Sequence, residues 1–394
     1  MVDNADVVVI GGGCMGTSIA YNLKRNGMDK VTLVEKRFVG SGATGRSAGV
    51  VRQHYSTEFM VRMATKSLRV IRDFQEGLGA DSGYRRTGLI VAVGEEGIDA
   101  LRQTVAMQRM LGVDTKVVSP PELRQVQPEL YTDDLAGGAF EPDAGYADPS
   151  LTTTGYAKAA ETLGVKILQK TEVVGVELSG RKVTAVKTNQ GERILTPVIV
   201  NATNAWANRI NEMVGVKLPI QSVRSQVCLL RRPPDFQNSH VVLFDFVKLT
   251  YLKAEGDTQT LVGTLDPQVD LSAPVDPDLC PDSIDYEHVE MLSGKIVHRF
   301  PVMGRAVPRG GWSGPYDVTP DWHPILDRVE DVEGYYCAVG FSGHGFKLCP
   351  AVGEMMTDLI IHGKRAGSDI ENFRSTRFKE GKPIVPKYAY SLVG

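Results

Sequence analysis

Two kinds of hydrophobic pattern alternate at the start of the chain. Asp6-Val-Val-Val-Ile10 is short, continuous and β-branched, as a strand buried on both faces of a parallel sheet must be. From Thr17 to Arg25 the pattern changes: Ile19, Ala20 and Leu23 fall on one helical face, and Asn26-Gly27 ends the run. Val31–Val34 is a second short apolar run, closed by Glu35. A glycine-rich stretch, Gly11-Gly-Gly-Cys-Met-Gly16, joins the first strand to the helix.

Further along, the pattern predicts a helix from Thr57 to Gln75, a strand over Gly88–Val93, and helices over Gly97–Leu111, Pro121–Val126 and Leu151–Thr162, with Gly137–Pro149 rich in turn residues. Alternating strands follow at Lys166–Leu168, Val173–Leu178, Val183–Lys187, Glu192–Leu195 and Val198–Asn201. The middle region predicts strands at Val223–Leu230, His240–Phe246, Leu249–Ala254 and Thr258–Gly263, then a helix over Tyr286–Arg299 and a strand after Gly304. A strand over Tyr335–Val339, a glycine turn and a helix from Lys347 to Ile361 close the pattern. No internal repeat or low-complexity tract interrupts it. The order predicts an α/β protein.

Composition narrows the class. A chain of 394 residues exceeds the usual size of one core, so two domains are expected. A formal net charge of −3 argues against a nucleic-acid surface, and no run approaches the roughly 20 apolar residues of a membrane span. The N-terminus carries acidic residues and no basic ones up to Asp6, unlike a secretory signal. Five scattered cysteines form no Cys-x-x-Cys pair, so a reduced, cytoplasmic protein without a zinc site is expected.

Gly11-x-Gly13-x-x-Gly16 follows a strand and opens a helix, as dinucleotide binding requires. The first glycine permits the tight turn, the second lets the backbone approach a pyrophosphate, and the third lets helix and strand pack closely. The helix N-terminus supplies free N–H groups to the phosphates. Glu35, at the end of the second strand, suits the ribose hydroxyls and repels a 2′-phosphate. This unit alone does not separate FAD from NAD. The chain lacks a second glycine fingerprint, which an enzyme using both a flavin and a nicotinamide often has.

Three further blocks decide between them: Ser41-Gly-Ala-Thr-Gly-Arg-Ser-Ala-Gly-Val-Val-Arg52, Asn201-Ala-Thr-Asn-Ala-Trp206, and Thr319-Pro-Asp-Trp-His-Pro324 with Gly340-Phe-Ser-Gly-His-Gly-Phe-Lys347. With the glycine loop they resemble the sarcosine oxidase branch of the D-amino-acid-oxidase-like flavoproteins, over essentially the whole chain. The resemblance implies a Rossmann-like FAD-binding domain built from discontinuous segments, 1–85, 146–218 and 313–394. It also implies an inserted substrate domain, 86–145 and 219–312, around a mostly antiparallel mixed sheet. It places Ser41, Ala43, Thr44 and Gly49 along the flavin and pyrophosphate, Val173 at the adenine, and Ala202 and Trp206 along the cofactor. Cys14, Met15, Lys36, Arg46, Val50, Gly343, Gly345, Phe346 and Lys347 complete the expected FAD contacts.

The same resemblance implies amine chemistry: a hydride equivalent leaves the carbon beside nitrogen for the flavin, and water hydrolyses the resulting imine. Arg52 and Lys347 match a clamp for the substrate carboxylate, a bidentate fork plus a point charge. An amine of pKa near ~10 costs roughly 4 kcal/mol to deprotonate at neutral pH, and an electropositive site lowers that cost. Tyr251, Tyr316 and His344 match positions near substrate or flavin. The helix after Lys347 would set its positive end at the pyrimidine edge of an anionic reduced flavin. His323, before Pro324, is read as structural and not as a metal ligand.

Departures matter as well. Relatives that bind FAD covalently use a cysteine where this chain has Gly314, or a histidine where it has Arg46, so FAD is expected to be non-covalent. The oxygen-activating lysine of sarcosine oxidases corresponds to Leu261, with Lys253 on the preceding strand. The electron acceptor is therefore oxygen, or a quinone or electron-transfer partner. A β-type subunit of a larger oxidase or dehydrogenase, and a homo-oligomer, both stay open.

Overall fold

A computed structural model describes residues 2–236, 239–363 and 368–386. The short apolar runs pair side by side. Lys166–Leu168, Val31–Val34, Val7–Ile10, Ile199–Asn201 and Tyr335–Val339 lie parallel in that order. Ile325–Arg328 adds an antiparallel edge beside the last of them. Both faces are covered, which is why Val7–Ile10, Val31–Val34 and Tyr335–Val339 are buried throughout and mostly apolar rather than alternating. Helices Cys14–Arg25, Pro149–Thr162 and Cys349–His362 cover one face, with Ile19, Leu23, Tyr156, Val352 and Met356 in a shared core. The other face packs against a four-stranded sheet (Val2–Asn4, Arg193–Leu195, Lys182–Thr188, Val173–Ser179) and the helix Ala207–Met213.

The second body is an eight-stranded sheet in the order Val307–Val318, Gln221–Arg231, Gln259–Thr264, Thr250–Glu255, Val242–Asp245, Leu89–Val93, Gly137–Glu141, Lys116–Val118. Every pairing is antiparallel except Val242–Asp245 with Leu89–Val93. Helix Tyr286–Arg299 buries Leu292 and Ile296 on one side of it, and helix Ile98–Met110 buries Leu101 and Val105 on the other. Arg299, fully buried, holds Asp245 at 2.7 Å and Asp134 at 2.6 Å, tying helix to sheet.

Several expectations change. The turn-rich segment Gly137–Pro149 contains the strands Gly137–Glu141 and Gly145–Tyr146. Its glycines are there for close approach: a Cβ on Gly138 would stand 2.7 Å from the Val91 carbonyl oxygen, and one on Gly145 would stand 1.9 Å from that of Arg85. The helix expected over Thr57–Gln75 breaks at Asp73 into Glu58–Arg72 and Phe74–Leu78. The helices Ala207–Met213 and Pro267–Leu271 and the edge strand Ile325–Arg328 were not expected. The strand Val307–Val318 runs unbroken through the boundary placed between 312 and 313, carrying the chain from the large sheet back towards the parallel one.

Candidate active site

The glycine loop is shaped by close contacts. Gly11 has φ +109°, and a Cβ there would lie 2.5 Å from the Ala202 carbonyl oxygen. At Gly16 a Cβ would lie 1.8 Å from the Gly11 oxygen, so only glycine lets the helix pass the strand. Gly13 caps the helix without a side chain, leaving first-turn amides for a ligand; Thr44 Oγ1 takes that of Cys14 at 3.2 Å. Glu35 is held rigidly: Gly12 N–H donates to Oε2 and Arg37 N–H to Oε1, each at 2.7 Å. Each oxygen keeps a lone pair for a ribose hydroxyl.

From this loop one continuous cleft runs to the large sheet. Its wall includes Gly11, Gly13, Cys14, Met15, Glu35, Lys36, Ser41, Ala43, Thr44, Val50, Val173, Ala202 and Trp206 at the dinucleotide end. Arg52, Tyr251, Tyr316, Gly343, His344, Gly345, Phe346 and Lys347 line the other end. Three residues expected at the cofactor lie off this wall. Gly16 serves helix–strand packing. Gly49, at φ +71°, turns the chain under the Ala147 carbonyl and into the strand leading to Arg52. Arg46 points away: it binds Asp282, and it donates to the Ser41 and Gly42 carbonyls at 2.8 and 3.0 Å. Its stem packs on Gly314. In this way it braces the small-residue loop from behind.

At the far end two cations are buried together. Arg52, 1% exposed, lies with its guanidinium 4.0 Å from the centre of the Tyr55 ring and 5.2 Å from that of Phe244. One of its terminal nitrogens donates to the His54 carbonyl, and its Nε has no protein partner. Among the described residues, the Lys347 Nζ hydrogen bond is to the His344 carbonyl, at 3.4 Å. Burial, and then the charge of Arg52, push the Lys347 ammonium well below its usual pKa. Neither cation pairs with a carboxylate among the described residues, which is costly unless an anion arrives. The acid nearest in effect is Glu141, whose Oε1 takes the Gln53 N–H at 2.6 Å. Burial raises it to about 7, and Arg52 pulls the other way.

His344 is already committed. Its Nε2 bonds to the Trp322 carbonyl at 2.7 Å, and Nδ1 meets the Tyr55 hydroxyl at 3.3 Å. Burial and the neighbouring cations hold it neutral, well below the ordinary histidine pKa. The Tyr316 ring lies over Gly343, where a Cβ would stand 2.6 Å from it; the Tyr251 ring covers Gly263 in the same way, at 2.4 Å. Burial pushes Tyr316 to about 12 and Tyr251 well above 10, so both remain hydroxyl donors. His323 is structural, with Nδ1 on the Asp321 carbonyl at 2.6 Å while Asp321 binds Arg377 at 2.8 Å. No metal-ligand cluster occurs among the described residues. Leu261 and Lys253 are cross-strand partners, and Lys253 pairs with Glu255 at 2.7 Å, off the cleft.

Residues that sequence reasoning missed also line the cleft, including Asn204, Arg209, Phe244, Thr264, Leu265 and Asp270. Asn204 lies inside the Asn201–Trp206 motif, and its residue type was the available signal, since asparagine tolerates the left-handed backbone it adopts here at φ 52°. Its Nδ2 donates to Asp317 Oδ1 at 2.6 Å, while Oδ1 is buried without a protein partner. Asp317 also takes the Gly340 N–H at 2.5 Å, so one buried acid joins two of the motifs. Phe244 and Asp270 had no such signal, because only strand register and a short helix bring them here. A helix start without a side-chain cap, a fixed acid at the end of the next strand, and an orphaned Asn204 oxygen form a donor and acceptor set that fits FAD.

Comparison with known proteins agrees. The family model described as FAD dependent oxidoreductase (DAO) matches residues 6–359. The chain is 28% identical to human mitochondrial sarcosine dehydrogenase over 98% of its own length but only 42% of that protein. It is 28% identical to the sarcosine oxidase subunit beta of Rhodobacter capsulatus, over 96% of this chain and 90% of that one. Among solved structures, L-proline dehydrogenase from P. horikoshii superposes with a TM-score of 0.88 at 32% identity, covering 98% of this chain and 100% of that chain. No helix among the described residues is long and apolar enough to cross a membrane.

Proposed function

The chain belongs to the DAO family of FAD-dependent oxidoreductases, and from that premise we propose that it oxidises a small amino acid carrying a secondary amine, of the sarcosine or proline kind, to the imine. The observation that carries this reading is the pair of buried, carboxylate-free cations Arg52 and Lys347 at the end of the FAD cleft. They suit a single substrate carboxylate, which would favour the charged form of Lys347 as it binds. Bound FAD supplies the two-electron acceptor for the hydride equivalent leaving the carbon beside nitrogen. Tyr251 and Tyr316, on the same stretch of wall, would offer hydroxyl donors to a bound substrate. His344 keeps the turn Gly340–Gly345 in place through Trp322 and Tyr55. With Leu261 buried and Lys253 turned to Glu255, the cleft lacks the lysine that serves oxygen in sarcosine oxidases. This favours a dehydrogenase over an oxidase.

A second reading is that of a β-type subunit handing electrons to a partner. The 90% coverage of the Rhodobacter capsulatus subunit, against 42% of human sarcosine dehydrogenase, favours it. Mixing the holoprotein anaerobically with sarcosine, L-proline, glycine and D-amino acids tests the chemistry. A secondary amino acid should bleach the flavin, and readmitted oxygen should restore it slowly compared with a quinone analogue. Flavin that stays yellow across the panel rules the proposal out.

A further inference from the structure

The catalytic end of the cleft holds six ionisable groups: Arg52, Tyr251, Asp270, Tyr316, His344 and Lys347. Two clamp a carboxylate, two are tyrosines held protonated, and the histidine has both nitrogens engaged. Asp270 is the one remaining, and no motif pointed to it.

Its position comes from a short helix, Pro267–Leu271, started by Pro267 and by Asp266 accepting the Gln268 N–H at 3.0 Å. The chain then docks on the large sheet, where Arg224 N–H meets the Ala273 carbonyl at 2.8 Å. Asp270 is 3% exposed and faces the cleft beside the two tyrosines, whose hydroxyls both feel its charge. Aromatic rings stand between the tyrosines and the clamp: Tyr251 meets Phe244 at a tilt across the strands, ring centres 5.9 Å apart, and Phe244 lies 5.2 Å from the Arg52 guanidinium. Asp270 makes no ion pair among the described residues. Burial raises its carboxyl to about 7, while a hydrogen bond from Ser225 and the repulsion of Asp266 act in opposite senses.

An amino acid reaches such a site as a zwitterion. Two cations answer its carboxylate, and its ammonium needs an anion. We propose that Asp270 binds the substrate ammonium and accepts its proton, so that the amine facing the flavin is neutral. The transfer balances simply: the N–H bond breaks, the Asp270 O–H bond forms, and the nitrogen lone pair is freed. The proton leaves to solvent when product departs. This assignment rests on the amine-oxidation reading and names the group that makes that chemistry possible at neutral pH. A base poised near the working pH is well matched to the task.

The test compares wild type with Asp270→Asn in the holoprotein, in two measurements. Calorimetric titration uses L-proline and its oxygen isostere tetrahydrofuran-2-carboxylate, which keeps the carboxylate and lacks the ammonium. Asp270→Asn should weaken L-proline by about 10- to 100-fold, as loss of a charged hydrogen bond does, while the isostere binds as well as before or better. In anaerobic stopped flow the variant should reduce flavin at least about 100-fold more slowly and lose the rise of rate with pH near neutrality. Equal weakening of both ligands, or an unchanged pH profile with Lys347 left as the acceptor, overturns the role of Asp270 while amine oxidation stands. Failure of wild type itself to be reduced by any secondary amine overturns both.

Discussion

Replacing Lys347 with methionine separates a substrate clamp from a structural lysine, because the two roles predict opposite signs. The residue is 7% exposed, and among the described residues its ammonium makes one long hydrogen bond, 3.4 Å to the His344 carbonyl. Its pKa is depressed by burial and by Arg52. Between the depressed and the ordinary value the unfolded chain holds more protons than the native one, so stability rises with pH through that window. Below the window the buried charge is a full burden. Methionine fills nearly the same volume without a charge, so the flavin-free protein should gain stability at neutral pH and show a higher Tm. Binding should move the other way. A charge-assisted hydrogen bond to a carboxylate contributes about 1.5–3 kcal/mol, or roughly 10- to 150-fold in Kd. Tetrahydrofuran-2-carboxylate should lose that much affinity by titration of the flavin absorbance. A lower Tm with undiminished affinity would refute the clamp: the lysine would then be holding the turn and not the substrate.

Glu141→Gln should differ from wild type in a pH-dependent way. The native carboxyl sits near 7 instead of its usual 4.5, so wild-type stability falls as pH rises from about 4 to 7. The variant should gain up to about 3 kcal/mol over that range in denaturant unfolding, and a flat difference would show that Glu141 is not the buried acid described here. Gly343→Ala forces a left-handed residue (φ +85°) and a Cβ 2.6 Å from the Tyr316 ring. Expect a loss of about 1–3 kcal/mol and weaker flavin retention on gel filtration. Acid precipitation should leave the flavin in the supernatant, since Gly314 and Arg46 stand where covalent relatives carry their cysteine or histidine; flavin in the pellet would contradict this.

Much of the dinucleotide end was legible in the chain because its physics is local. A β-branched run buried on both faces, glycines that no side chain can replace and an acid at the next strand end are set by neighbours in sequence, and Val7–Ile10, Cys14–Arg25 and Glu35 follow the pattern closely. The resemblance carried the clamp, and the structure brings Arg52 and Lys347 to one end of one cleft. The misses have a common cause. Gly137–Glu141 reads as turns because glycine there answers the Val91 and Val118 backbones across the sheet. Arg46 looks like a cofactor ligand until Asp282, far away in sequence, draws it outward. Asp270 reads as one acid among many in an exposed-looking loop.

Hydrophobic period and glycine spacing thus determined a strand–loop–helix unit, the glycine loop at its helix start and the acid at the end of its next strand, since those depend on backbone sterics within a few residues. Tertiary structure decided which distant charges meet. Register across the large sheet sets Phe244 beside Tyr251, and a short docked helix turns Asp270 into the cleft. Only that arrangement buries two cations at one end of the cleft, where the charge of Arg52 acts on Lys347, and turns a buried acid into the same cleft.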